Sequence, residues 1–340
     1  MIDPVSGFLY PEAWVRLCTD DAERELVLSG FGVLTANGSV LRRGFTTGTT
    51  AAAAAFAAVA SLRMTQVSEV EILLPCGITA QVPVLGRNGH GEARKFSGDY
   101  PDDVTAGILI VAEAQVSDEI SLVAGEGIGR FVRETPRYGL GEPAISPPAR
   151  AEILGAIEAA CRMAGISGAA VVLRIPEGER VGSQTLNPKV GVCGGISVVG
   201  TTGFVEPWDD HLTDTLGERI AAASDVVITT GRTGLRFSRL LFPEFEVVLA
   251  GSKLSEALSA AKNCRHVVVC GLPGLILRFF HPEVATSRGF STVEELAASA
   301  EGPAVLKAEV TDAVQRFPGV RIVLLDRDGE VLVDSEEGVR

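Results

Sequence analysis

Four stretches of this sequence carry residue types and spacings that could do chemistry. The first is Gly194-Gly195-Ile196-Ser197-Val198-Val199-Gly200-Thr201-Thr202-Gly203. It has the G-x-x-x-x-G spacing of a phosphate-binding loop, but Thr201 stands where such a loop needs a lysine to neutralise phosphate charge. A hydroxyl cannot replace that charge, which argues against ATP or GTP hydrolysis. What remains is either a glycine-rich loop whose N–H groups and hydroxyls suit a polar or anionic ligand, or a tight strand–turn. The second stretch, Thr46-Thr47-Gly48-Thr49-Thr50, precedes an alanine run. Its hydroxyls can cap a helix, and the positive end of the helix dipole favours a carboxylate or phosphate. A well-capped buried helix is the other reading of the same residues.

The third stretch, Gly98-Asp99-Tyr100-Pro101-Asp102-Asp103, packs three carboxylates into a turn. Such a cluster can bind a cation, raise its members' pKa for acid–base work, or stay a solvated loop. The fourth consists of two arginine sets in an acidic protein: Arg130, Arg133 and Arg137, and separately Arg232, Arg236 and Arg239. Spacings of three and four place each set on one face if helical, to hold a multiply carboxylated ligand or to form surface ion pairs. A fifth motif, Gly125-Glu126-Gly127-Ile128-Gly129, is G-x-G-x-G and lacks the dinucleotide spacing, so it reads as a twisted turn after a strand. The six cysteines and four histidines are scattered without ligand spacing, so no metal site on the protein is expected.

These loops need elements to position them. Residues 51–60, eight of them alanine, form the best helix-forming run, predicted to start near Thr49, and its smooth surface would let another backbone approach closely. Val67 to Leu74 and Ile78 to Leu85 read as a hairpin around Pro75-Cys76-Gly77. Pro136 to Pro148 is rich in proline and glycine and is the expected domain boundary. Beyond it, apolar strands at 226–229, 245–249, 266–270 and 321–325 alternate with helical segments at 212–223, 254–262 and 293–314. That alternation predicts a mostly parallel sheet covered by helices on both faces. Ligands of such sheets sit beyond the carboxyl ends of the strands, here Thr229-Thr230-Gly231-Arg232, Ala250-Gly251-Ser252 and Gly271 to Gly274. The expected fold class is therefore α/β: a lead-in at 1–40, a mixed α+β domain at 41–145, and an α/β domain at 146–340.

Composition narrows the function. With 340 residues the chain is long enough for two cores. Its 43 acidic against 30 basic residues give a net charge of −13, which disfavours nucleic acid and anionic membrane as partners. Two tryptophans and three tyrosines offer no aromatic stacking platform. No apolar run reaches eighteen residues and the start lacks a leader pattern, so a cytoplasmic protein with free thiols is expected. A homo-oligomer is left open.

Six segments taken together resemble one family, the cobalt-precorrin-5B C1-methyltransferases (CbiD) of anaerobic cobalamin biosynthesis. They are Arg42 to Ala51, Gly98 to Thr105, Gly125 to Gly129, Gly141 to Ile145, Thr185 to Gly191 and Gly194 to Pro207, in family order. The resemblance implies transfer of a methyl group from S-adenosylmethionine to C1 of cobalt-precorrin-5B, giving cobalt-precorrin-6A. Cobalt would arrive with the tetrapyrrole. Methyl transfer needs alignment and one general base, for which Asp99 or Asp103 is expected, or else one of them steadies the sulfonium charge. Substrate carboxylates would meet Arg42, Arg43, Thr46, Thr47, Gly48, Thr49, Thr50, Arg130 and Arg133. The cofactor would take Gly194, Gly195, Gly200, Thr201, Thr202 and Gly203 with Thr229, Thr230 and Gly231. The chain departs from the family pattern at Thr50, commonly Cys, in an acidic turn one residue longer, and at Phe96, frequently Asp. Two other readings stand beside this one: a nucleotide-binding protein that does not methylate, and a non-catalytic carrier of an unstable tetrapyrrole.

Overall fold

The alanine run becomes the helix Thr47–Ala60, and every residue of it is buried. Its N-cap is Thr46, so it starts two residues before Thr49. Methyl groups along most of its length let strands press against its backbone. A Cβ on Gly91 would stand 2.2 Å from the Ala54 carbonyl oxygen, and one on Gly86 would stand 2.7 Å from that of Ala57. The glycines of the strands and the alanines of the helix are thus two halves of one close approach. The structure, a computed structural model, describes residues 1–100, 103–134, 138–207 and 216–336. Asp102, Arg137 and the expected helical residues 212–215 lie outside the described residues.

A six-stranded sheet covers one side of the alanine helix, and the helix Pro147–Ala164 packs along it as well. The strand order is Val67–Leu73, Thr79–Arg87, His90–Arg94, Leu109–Ser117, Gly168–Arg174 and Ser121–Ala124. The hairpin read from alternation is its first pair, with Val70, Ile72, Ala80 and Val82 facing inward. Strand 168–174 runs antiparallel to 109–117 and parallel to 121–124, between the two.

That position corrects the expected boundary near residue 145. Ile153, Ile157, Val171 and Leu173 share one core with Phe56, Ile72 and Ile110. Of the proline- and glycine-rich stretch, the described residues 138–148 form a connection within that core; the chain changes core between Phe204 and Ile220.

The second sheet matches its prediction closely. Strands Glu246–Leu249, Asp225–Thr229, His266–Gly271 and Val320–Leu325 lie side by side in that order, all parallel, with Val331–Asp334 added antiparallel at the edge. Helices Leu254–Ala260, Pro273–Phe280 and Gly302–Arg316 bury one face. The other face holds the helix Arg232–Leu241 and, unexpectedly, the lead-in: Tyr10, Cys18, Val27 and Leu34 pack with Val227, Leu235 and Leu325. Residues 1–40 are therefore a working part of the second core. Among the described residues no helix is long and apolar enough to cross a membrane.

Candidate functional site

The start of the alanine helix, the acidic turn and the 185–205 segment meet around a cleft of about 200 Å³. Thr46, Thr47, Lys95, Tyr100, Asp103, Asn187 and Ser197 line it, with Ile196, Val199 and Phe204 as apolar walls. A two-stranded ladder pairs Phe45 with Phe204 and Gly44 with Val205, bringing residues 159 and 161 positions apart in sequence to one wall.

Asp103 is nearly closed off from solvent and ion-paired with the equally buried Lys95. Its second oxygen accepts from Thr105 N at 2.9 Å and Thr105 Oγ1 at 2.5 Å. Burial alone would raise the carboxyl, but the Lys95 ammonium and the Thr105 bonds outweigh it and hold Asp103 below the usual carboxylate range. Asp103 is accordingly ionised at neutral pH and a poor proton acceptor. A depressed carboxyl stabilises the fold above its unfolded pKa, and that contribution is lost as pH falls through the folded value. Asp103→Asn should lower stability by about 1–3 kcal/mol at neutral pH and flatten the acid limb of the melting-temperature profile. An unchanged acid limb would show that the pair contributes nothing.

The threonine-rich helix start is a capped, buried helix end. Thr46 Oγ1 accepts from Thr49 N at 3.2 Å. Gly48 N donates to Val199 O at 2.9 Å, and Thr46 N to Gly203 O at 3.0 Å. Thr47 Oγ1 accepts from Val199 N at 2.9 Å and lies 3.2 Å from Ser197 O. The glycine loop is thus strapped across the helix start, and the N–H groups of Gly48 and Thr49 expected to hold an anion are already used. Of the threonines, Thr46 and Thr47 line the cleft, whereas Thr49 and Thr50 lie beneath it.

The loop's glycines serve close packing. A Cβ on Gly195 would stand 2.1 Å from Gly127 O, and one on Gly200 would stand 2.6 Å from Thr46 Oγ1. Gly203 abuts Leu74, Thr202 Oγ1 accepts from Phe204 N at 3.2 Å, and Gly194 and Thr201 are exposed. In the 125–129 motif only Gly125 and Glu126 turn after strand 121–124, and Gly127–Ile128 is itself a short strand running parallel to Gly195–Ile196. The expected cofactor residues also divide between the two cores, since Thr229, Thr230 and Gly231 end a strand of the second sheet. Thr229 is turned inward beneath Gly234, while Gly231 opens the 232–241 helix with free space beside it.

The arginines are mostly structural. Arg43 is a correction: its guanidinium is closed off from solvent and donates to Asp3, Glu206 and the Gly30 and Gly32 carbonyls, so it faces the core and not a substrate. Arg130 donates to Gly141 O and Ala124 O, both at 3.0 Å, and Arg133 to Lys189 O at 3.4 Å, so each braces loops from the surface. Arg236 lies over Phe8 and donates to Ser6 Oγ, tying down the lead-in. Arg42 is exposed, and its backbone N donates to Asp99 Oδ2 at 2.7 Å. Asp99 itself is exposed and outside the cleft lining.

Two larger spaces adjoin the cleft. An apolar groove of about 720 Å³, lined by Phe31, Phe45, Val82, Val84, Phe96 and Leu109, shares Lys95 with it. A hollow of about 430 Å³ at the carboxyl end of strand 246–249, lined by Ala250, Gly251, Ser252 and Lys253, shares Leu186 with it.

Lys95, Asn187 and Glu152 are not among the expected site residues, although Asn187 lies within the 185–191 segment of the family resemblance. Lys95 and Asn187 had no periodic signal of their own. Glu152 did: it interrupts the apolar stripe Ala149, Ile153, Ala156, Ile157 and Ala160 of its helix. It accepts from Thr49 Oγ1 at 2.8 Å, and its other oxygen has no hydrogen-bond partner. Burial pushes its pKa up to about 7 against the opposing Thr49 bond.

Comparison with known proteins gives a consistent picture. A family model described as CbiD matches residues 34–207. A curated protein of Methanoregula boonei, named cobalt-precorrin-5B C(1)-methyltransferase, is 54% identical over 98% of this chain and 100% of its own. One of the same name from Methanosarcina acetivorans is 44% identical over 99% of this chain and 100% of its own. A crystal structure of a cobalamin biosynthesis protein (cbiD) from Archaeoglobus fulgidus superimposes with a TM-score of 0.55 at 35% identity, covering 96% of this chain and 100% of that one.

Proposed function

Since this chain belongs to the CbiD family, we propose that it is an enzyme of cobalamin biosynthesis that methylates C1 of cobalt-precorrin-5B, using S-adenosylmethionine and yielding cobalt-precorrin-6A. The observation that carries the reading is identity spread over the full length, 54% across 336 residues, and not confined to a few loops. A cytoplasmic location goes with this biosynthetic role.

When bound, S-adenosylmethionine supplies a methyl carbon on a positively charged sulfur; the protein's task is alignment and exclusion of water. The rim of the second sheet fits such a group chemically. Gly231 and Gly251 leave space beside the backbone, and the Lys253 side chain in the neighbouring hollow offers a partner for a carboxylate. The tetrapyrrole is too large for the cleft, which falls short of the roughly 300–1,000 Å³ of ordinary small-molecule sites. Its ring face would lie in the Phe45–Phe96 groove, where Arg94 meets a carboxylate, while one edge reaches Thr46, Thr47 and the Lys95–Asp103 pair. Asp103, held ionised, would act on charge in the cleft and not as the base.

The test is anaerobic incubation of the pure protein with cobalt-precorrin-5B and methyl-labelled S-adenosylmethionine, followed by mass spectrometry of the tetrapyrrole. One labelled methyl at C1 is expected. Tight tetrapyrrole binding without transfer would replace the enzyme by a carrier. Binding of ATP but not S-adenosylmethionine would favour a nucleotide-binding protein.

A further inference from the structure

Glu152 differs from the buried acids Asp3 and Asp103 in having no cation beside it among the described residues. Its partner is a hydroxyl, and that hydroxyl begins a route to the cleft. Thr49 Oγ1 is 2.8 Å from Glu152 Oε1 and 3.2 Å from Thr46 Oγ1, and Thr46 lines the cleft. Thr49 Oγ1 is also 2.9 Å from Gly203 O, which already accepts the Thr46 N–H. The Thr49 hydroxyl can therefore donate either way without stranding an acceptor. With Glu152 ionised, Thr46 donates to Thr49 and Thr49 to Glu152. With Glu152 protonated, Glu152 donates to Thr49, and Thr49 turns to Gly203 O. Both states are hydrogen-bonded. Glycine keeps the route open at two points: a Cβ on Gly200 would stand 2.6 Å from Thr46 Oγ1, and one on Gly48 would stand 3.3 Å from the unpartnered Glu152 Oε2.

We propose that Glu152 receives the proton released during methyl transfer, through the hydroxyls of Thr46 and Thr49 and without touching the substrate. The proposal rests on the methyl-transfer reading above. In the balanced step the ring gives one electron pair to the new C1–methyl bond, while the sulfur keeps the pair of the bond that breaks. The ring regains a pair from a C–H bond elsewhere. That proton passes to Thr46 Oγ1, the Thr46 proton to Thr49 Oγ1, and the Thr49 proton to Glu152 Oε1. One C–H bond is lost, one O–H bond is gained on Glu152, and both threonines end neutral.

The surroundings suit a group that titrates near neutrality. The alanine helix carries no charged residue. On the strands packed against the 147–164 helix, Glu69 and Glu71 are exposed, and Arg174 pairs with Glu113. On its own helix Arg150 is exposed, and the exposed Arg162 pairs with Glu158. Burial is the cause of the upward Glu152 shift, and the Thr49 bond opposes it.

The experiment is single-turnover methyl transfer by the full chain against pH, with cobalt-precorrin-5B binding measured in parallel. The wild-type rate should rise with an inflection near pH 7. Glu152→Gln should bind the tetrapyrrole normally, lose 10²–10⁴-fold in rate, and lose the inflection. Thr49→Val should behave alike, and Thr49→Ser should recover both rate and inflection. The infrared carbonyl band of a protonated buried carboxyl should titrate in the wild type and be missing in Glu152→Gln. A Glu152→Gln protein that keeps the wild-type pH profile overturns the relay, as does a rate loss with the inflection intact. Wild-type protein that transfers no methyl sinks the functional reading and this proposal together. Transfer by the wild type with an unaltered profile in Glu152→Gln sinks this proposal alone.

Discussion

Arg43→Ala should cost about 3–5 kcal/mol of unfolding free energy, because it removes one partner of a buried charge network and strands the rest. The guanidinium reaches Asp3 at 2.6 Å, Glu206 at 2.8 Å, Gly30 O at 2.9 Å and Gly32 O at 3.2 Å. Asp3 is fully buried and Glu206 is half-buried. Burial pushes the Asp3 carboxyl up, but the Arg43 bond and charge, with Ser6 and Val5, bring it below its ordinary value. Without Arg43 the Asp3 carboxylate remains in low dielectric with the half-buried Glu206 beside the gap, and protonating Asp3 at neutral pH costs free energy in turn. The penalty belongs to the imbalance and not to the pair itself. A triple variant replacing Arg43 by Met and both Asp3 and Glu206 by Leu should recover most of the loss. Denaturant midpoints with unchanged m values measure both. A single alanine variant within about 1 kcal/mol of wild type would contradict the argument.

Gly91→Val is the second large effect, and it acts on packing. Its Cβ would stand 2.2 Å from Ala54 O and 2.5 Å from Ala58 N. These are helix backbone atoms, held by their own hydrogen bonds, so no side chain can rotate away. The strand or the helix must move as a body, and overpacking of this kind costs about 3 kcal/mol or more. Gly91 pairs with Gly86 on one side and Ala112 on the other, so displacement at one residue disturbs two ladders. Hydrogen exchange should quicken along the alanine helix and strands 79–94 while the second sheet, with its separate core, keeps its protection. Wild-type exchange rates in the alanine helix would show that the close approach is not a constraint.

Local patterns were readable wherever the signal was local. The 67–87 hairpin and the parallel strands of the second sheet follow from alternation and from apolar runs between helices. The alanine helix was misplaced only in its cap, because four threonines compete for the role and only tertiary contacts choose Thr46. Failures came where a residue's meaning depends on partners far along the chain. Arg43 next to Arg42 looks like a ligand for carboxylates until Asp3 and Glu206, 40 and 163 residues away, are seen to enclose it. The Pro/Gly stretch at 136–148 looks like a linker until strand 168–174 is found inside the earlier sheet. At the site, Thr46, Thr47 and Asp103 were named and do meet around the cleft. Lys95 was not, since a single lysine before a turn is ordinary surface composition. Glu152 could have been found, because a carboxylate on an apolar helical stripe demands an explanation.

The placement of strand 168–174 also orders events during synthesis. It lies between 109–117 and 121–124, and residue 204 closes the ladder with residue 45. A nascent chain cannot complete its first core until residue 204 has been made, however early the alanine helix forms. The lead-in waits longer still. Tyr10 and Leu34 find Val227 and then Leu325 only when those residues emerge, so residues made before the first core are covered after it.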